Sequence, residues 1–271
     1  MLKTRIITAA VLLIVFSADL FLASLHVFAL VLGGIVAAAA WEWSRLCQVK
    51  DENAQTAFAA GIGVLALIAL YIPHNDAFIR WVLLIGFLYW VTVPIGFYMK
   101  PKLPQFDRIH KTALLVGVFV TLVAAVSIQY LRSYAPSASP YLLLYALSIV
   151  WIMDIGAYFS GRRFGRNKLA PLISPGKTWE GVYGGFAATA IVMVVVLLVA
   201  DFAQDNALKV MVATVLSASL SVVGDLAESR LKRAADMKDS SQMLPGHGGV
   251  LDRIDGVLAA LPVFAFVWAW L

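Results

Sequence analysis

Runs of roughly 20 apolar residues recur from Ile6 to Leu271, with only short polar stretches between them. A helix needs about 20 residues to cross the ~30 Å hydrocarbon core of a bilayer, because each residue rises only ~1.5 Å. Of the 271 residues, 61% are hydrophobic and 14% charged. Soluble domains run nearer about 45–50% apolar and about 25% charged. The surplus apolar surface must face lipid. The sequence therefore predicts an all-α, polytopic integral membrane protein.

About nine transmembrane helices can be counted. Ile6 to Trp43 is too long for one span and carries Asp19, so it holds two, with the break the least defined of the set. The others are roughly Ala57–Ile72, Trp81–Tyr98, Thr112–Leu131, Tyr141–Phe159, Gly181–Ala200, Ala207–Gly224 and Gly256–Leu271. Charge tests this count. With the N-terminus cytoplasmic and the C-terminus outside, 18 of the 21 Lys and Arg fall in cytoplasmic segments. Only Arg80, Arg132 and Lys209 fall elsewhere, as the positive-inside rule requires. Lys3 and Arg5 before an apolar run would also suit a signal peptide, but the run outlasts a signal core. Residues 1–140 read as N-terminal membrane helices and 141–271 as a C-terminal region with two unusual cytoplasmic loops, near 160–180 and 225–255. The net charge of +5 needs no nucleic acid to explain it; topology and anionic lipid or phosphate suffice. The single cysteine, Cys47, excludes an internal disulfide and cysteine-based metal sites.

Four stretches carry chemistry. In Ser221–Asp239, residues Asp225, Ser229 and Lys232 share a helix face with Glu228 beside them. A solvated helix end would explain such charge, except that Asp225 directly follows an apolar run and a glycine. In "PGHGGVLDRIDGV", Asp252 and Asp255 lie three apart, about one helical turn, so a hard divalent cation would relieve their repulsion. Gly246, Gly248 and Gly249 permit close backbone approach before a helix N-terminus, an arrangement that suits an anion. His247 within that turn suits phosphate contact or loop positioning.

In "ISPGKTWEG", Gly176-Lys177-Thr178 resembles part of a P-loop, but Pro171 stands where its first glycine would be. Lys177 still suits a phosphate, while Ser174 and Thr178 suit helix caps and Glu180 a first-turn charge. Asp154 sits inside a predicted span, where an ionisable group is a functional candidate by default. Its neighbours Ala157 and Gly161 form a small-residue face suited to helix packing. Arg162, Arg163, Arg166 and Lys168 are explained by topology alone. Trp41, Trp43, Trp81 and Trp90 read as lipid-facing or interfacial. Together these features suggest Mg²⁺-dependent phosphoryl or nucleotidyl transfer on a lipid at the cytoplasmic membrane face.

The 27 residues from Ser229 to Asp255, "SRLKRAADMKDSSQMLPGHGGVLDRID", resemble the signature of the phosphatidate cytidylyltransferase (CDP-diacylglycerol synthase) family. "SPGKTWEG" and the Asp154–Gly165 segment resemble further blocks of that family. The resemblance implies transfer of a cytidylyl group from CTP to phosphatidate within a bacterial inner membrane. It implies Mg²⁺, and often a second, monovalent cation such as K⁺; it alone suggests a homodimer. On the residues, Asp225, Asp252 and Asp255 are the expected metal ligands and, with Lys232, the expected catalytic group. Expected substrate contacts are Asp154, Lys177, Ser229, Arg233, Lys238, Asp239, His247, Gly248, Gly249 and Arg253. An ion-coupled transporter and another CDP-lipid transferase are the competing readings. The first would place its charges near mid-membrane; the second would carry denser aspartates on consecutive helices.

Overall fold

The structure, a computed structural model, describes residues 2–71, 75–99, 103–134 and 139–271. Ile72, Lys100 and Lys102, used above in the span and charge counts, lie outside the described residues. Among the described residues, ten helices and one hairpin form: α1 (Leu2–Leu22), α2 (Leu25–Leu46), α3 (Glu52–Tyr71), α4 (Asp76–Met99), α5 (Lys111–Ser133), α6 (Ser139–Phe164), β1 (Lys168–Ala170), β2 (Ser174–Thr178), α7 (Trp179–Val199), α8 (Asp201–Gln204), α9 (Ala207–Ala234) and α10 (Leu251–Trp270).

Among the described residues, eight helices are long and apolar enough to cross a membrane: α2 to α7, α9 and α10. The apolar stretch of α1, Ala10–Leu22, is shorter. The break inside the first long apolar run falls at Ser24, whose side chain caps α2 by accepting from the Val27 N–H. Apolar runs located the helices but underestimated some lengths. α9 continues ten residues beyond Gly224, and α10 starts at Leu251 rather than Gly256. Backbone hydrogen bonding extends a helix beyond the hydrocarbon without apolar side chains. Within this all-α fold, residues 168–178 form a short antiparallel hairpin, with Lys168 opposite Thr178 and Ala170 opposite Ser174.

The chain divides into two compact units, each drawn from three stretches of the sequence. The first comprises Met1–His74, Pro104–Gln129 and Leu231–Ile254. Its helices pack through small residues. A Cβ at Gly33 would meet Leu67 at 2.6 Å, and one at Gly63 would meet Ala37 at 2.9 Å, so glycine sets the approach of α2 to α3. Trp43 lies over Gly117 of α5 and donates to the Ala113 carbonyl at 2.8 Å. It is a core residue, not an interfacial one.

The second unit comprises Asn75–Leu103, Tyr130–Arg230 and Asp255–Leu271. α10 is its central helix: 72% of its span is buried, against 11% for α7. Val257 to Leu261 and Val263 to Ala265 are buried almost completely. α6 and α7 meet along the face predicted from Ala157 and Gly161. Cβ atoms at Gly156 or Gly181 would fall 2.9 Å from the carbonyls of Gly184 or Ala157. Trp90 is buried in this unit, correcting its interfacial reading, while Trp81 is exposed.

Candidate functional site

In the second unit, the hairpin and the ends of α6, α9 and α10 position one set of charged groups. Glu180 in the first turn of α7 accepts from the Arg166 N–H at 3.1 Å and from Asn167 Nδ2 at 2.7 Å. Thr178 caps α7 by accepting from the Gly181 N–H at 3.2 Å. These bonds fix the strand that carries Lys177. The Lys177 ammonium forms an ion pair with Asp225 of α9, and Ser229 donates to the other Asp225 oxygen at 3.2 Å. Gly224 explains how Asp225 comes beside α10: a Cβ there would sit 2.6 Å from the Asp255 carbonyl. Asp255 lies within electrostatic reach of Asp225, Asp154 and Lys177. Asp154, Lys177 and Asp225 line a cleft of about 460 Å³ with Arg162, Tyr158 and Ser174. Three expected carboxylates are thus brought together around one ammonium.

The first unit holds a second cluster, built on the glycine turn. Gly246 and Gly248 adopt φ values of 78° and 85°, a region glycine enters without Cβ strain. The turn closes with the Leu244 N–H donating to the Gly248 carbonyl at 2.9 Å. Asp252, in the first turn of α10, accepts from Lys232 Nζ at 2.6 Å through Oδ1. Its Oδ2 accepts from the Gly249 N–H at 2.8 Å and from both the N–H and Oγ of Ser240 at 3.0 Å. Both oxygens of Asp252 are engaged by protein donors. His247 Nδ1 is buried and has no hydrogen-bond partner among the described residues.

The remaining expected contacts are more exposed. Arg233 donates to the Met237 carbonyl at 3.2 Å. Lys238 and Asp239 border a hollow of about 630 Å³ with Trp41, Arg45 and Lys50. Arg253 is exposed.

Sequence reasoning did not find Glu42. This carboxylate is fully buried near the end of α2 and accepts from Ser240 Oγ at 2.9 Å, Val250 N–H at 2.9 Å, Leu251 N–H at 2.6 Å and Ser241 Oγ. A carboxylate between two tryptophans in an apolar helix was the available signal.

Among the described residues, no group of three or more His, Cys, Asp or Glu side chains is gathered in metal-holding geometry. Mg²⁺ does not require one: it usually takes one or two carboxylates, with water and substrate phosphates completing the shell. The donor set around Asp225 and Asp255, hard oxygens with like charges in mutual reach, fits that chemistry.

Eight long apolar helices among the described residues define a polytopic membrane protein. The chain belongs to the cytidylyltransferase family, whose model matches residues 3–271. It is 42% identical over 270 residues to the phosphatidate cytidylyltransferase of Pseudomonas aeruginosa, covering 99% of this chain and 98% of that one. It is 36% identical over 287 residues to the phosphatidate cytidylyltransferase of Haemophilus influenzae, covering 99% of each. A third relative of that description, from Staphylococcus haemolyticus, is 44% identical over 142 residues, 52% of this chain and 54% of its own.

Proposed function

We propose that this integral membrane protein transfers the cytidylyl group of CTP to phosphatidate, giving CDP-diacylglycerol and pyrophosphate. The observation that carries this is its likeness, along nearly the whole of both chains, to the Pseudomonas aeruginosa and Haemophilus influenzae phosphatidate cytidylyltransferases. A phosphate oxygen of phosphatidate attacks the α-phosphorus of CTP. The bond from that phosphorus to the oxygen bridging to the β-phosphate breaks, and pyrophosphate leaves. The attacking phosphate is already anionic, so no strong base is required. Positioning and charge neutralisation do most of the work in such transfers.

In the second unit Lys177, and in the first unit Lys232, Arg233 and Lys238, are the cations suited to phosphates of CTP and to departing pyrophosphate. His247 and the Gly248 N–H offer phosphate contacts, the Gly249 N–H being held by Asp252, and Arg253 adds a further cation nearby in sequence. Ser229 holds Asp225 in place. Asp154 and Lys177 line a cleft whose apolar walls suit the glycerol end of a lipid. Asp225 and Asp255 are the carboxylates best placed to hold Mg²⁺. A metal at Asp252 would have to displace Lys232 Nζ from Oδ1. Held by Asp225 and Asp255, Mg²⁺ would supply Lewis-acid stabilisation of the charge that develops during transfer. The monovalent cation and the homodimer rest on the family resemblance alone. The basic residues at cytoplasmic positions support an inner-membrane orientation with the site facing the cytosol.

The test is pyrophosphate release by purified protein in detergent micelles containing phosphatidate, CTP and Mg²⁺. Release only when all three are present supports the reading. CMP as the nucleotide product, or no nucleotide turnover by folded protein, would overturn it.

A further inference from the structure

Glu42 has no exposed surface, so it cannot touch either substrate. Its four hydrogen-bond donors are neutral, and two of them are backbone N–H groups at the start of α10. A carboxylate is favoured there by the unpaired N–H groups and the positive end of the helix dipole. Its partners also lead directly to Asp252. Ser240 Oγ lies 2.9 Å from Glu42 Oε2 and 3.0 Å from Asp252 Oδ2. Gly249, whose N–H meets Asp252 at 2.8 Å, packs so closely that a Cβ there would meet Ser240 Oγ and Glu42 Oε1. Asp252 in turn holds Lys232 Nζ at 2.6 Å. One buried acceptor on α2 therefore fixes the residues that aim the Asp252–Lys232 pair.

We propose that Glu42 is a positioning residue for nucleotidyl transfer, acting through Ser240 and the Gly249–Leu251 backbone on Asp252 and Lys232. This rests on the transferase function proposed above. Val250 donates to Oε1 and Leu251 to Oε2. Glu42→Gln therefore sets an amide NH₂ against a backbone N–H whichever way it is flipped. The serine hydroxyls can rotate to accommodate an amide; the backbone groups cannot. The aim of Lys232 is lost while the substrate-contacting groups themselves stay in the chain.

The experiment compares purified wild type, Glu42→Gln, Glu42→Asp, Ser240→Ala and the Glu42→Gln/Ser240→Ala double variant in detergent. Both substrates are varied, and amide hydrogen exchange is followed. For Glu42→Gln, kcat should fall about 10- to 100-fold, the usual loss when a supporting hydrogen-bond partner is removed. KM for CTP and for phosphatidate should each change less than about threefold, because the lost interaction belongs to the transition state. Exchange should accelerate at Val250 to Asp252, while Ala259 to Phe264 stay protected. Glu42→Asp, which keeps both acceptor oxygens, should recover part of kcat. The double variant should lose less than the product of the single losses.

A wild-type kcat in Glu42→Gln would overturn the proposal. So would a raised KM at full kcat, or a uniform loss of protection along α2 and α10, which would make Glu42 merely structural. An inactive wild type would sink the transferase reading instead, and the exchange measurement would still decide whether Glu42 holds the turn.

Discussion

Replacing Asp252 by Asn tests the Asp252–Lys232 pair directly. Both side chains are largely buried, with 5% and 12% of their surface exposed. The Asn oxygen should stay with the donors at Oδ2, because the Gly249 and Ser240 N–H groups cannot turn away. Its NH₂ then faces the Lys232 ammonium. Removing one partner of a buried ion pair typically costs about 3–5 kcal/mol, since the other charge stays desolvated. Lys232 retains some exposure and can swing toward water, which places the expected loss near about 3 kcal/mol. That loss would be read from unfolding in detergent, alongside pyrophosphate release. The Lys232→Met/Asp252→Asn double variant separates two effects. Removing both charges should recover most of the stability, because no orphaned charge remains. It should not recover activity, because the charge offered to departing pyrophosphate is gone. A double variant as unstable as the single one would refute the pair's energetic role. A double variant with wild-type turnover would refute the catalytic role of Lys232.

Gly249→Ala should abolish activity with little change in α10, because its Cβ would meet Ser240 Oγ and Glu42; full activity would show that the turn tolerates a side chain. Lys177→Met should lower pyrophosphate release about 100-fold, as removing a single charge-stabilising donor commonly does, with partial recovery in Lys177→Arg. Gly184→Val should destabilise the protein by about 1–3 kcal/mol by overpacking α6 against α7 at Ser160, read as a lower unfolding midpoint in detergent. Burial pushes the Cys47 thiol up to about 12, against a smaller opposing hydrogen bond to Trp43. The thiolate is thus absent well above neutral pH, and maleimide should label Cys47 at pH 8 only after unfolding; rapid labelling of folded protein would contradict this.

The helices were readable because lipid imposes a length and an apolarity that single segments satisfy by themselves. The hairpin was not. Ser174–Thr178 contains Pro175 and Gly176, both poor strand formers, and pairs over a span too short to show alternation. What holds it is Glu180 reaching back to Arg166 and Asn167, bonds that exist only once α7 has formed. Trp43 misled for a related reason. A tryptophan near a helix end has the same sequence context whether it meets lipid headgroups or a glycine on another helix. Only the neighbour, Gly117 in the case of Trp43, decides.

The site divides the same way. Asp225 and Ser229 were legible as neighbours because four residues along a helix return to one face, and the structure places a hydrogen bond there. The glycine turn was legible because positive φ favours glycine, and Gly246 and Gly248 have it. Glu42 was not legible, since its partners lie 198 to 209 residues further along the chain. No period or spacing encodes a contact at that separation. Composition does carry a weaker signal that could have been used. A carboxylate placed among alanines and tryptophans in a membrane helix is costly unless something receives it. The sequence offers a natural recipient in the glycine turn, whose following helix begins with N–H groups that require an acceptor. By sequence alone, the turn's free N–H groups suit a phosphate. At Val250 and Leu251 the protein's own Glu42 occupies them. On the function proposed above, a phosphate would have to meet the earlier part of the turn, at His247 and Gly248.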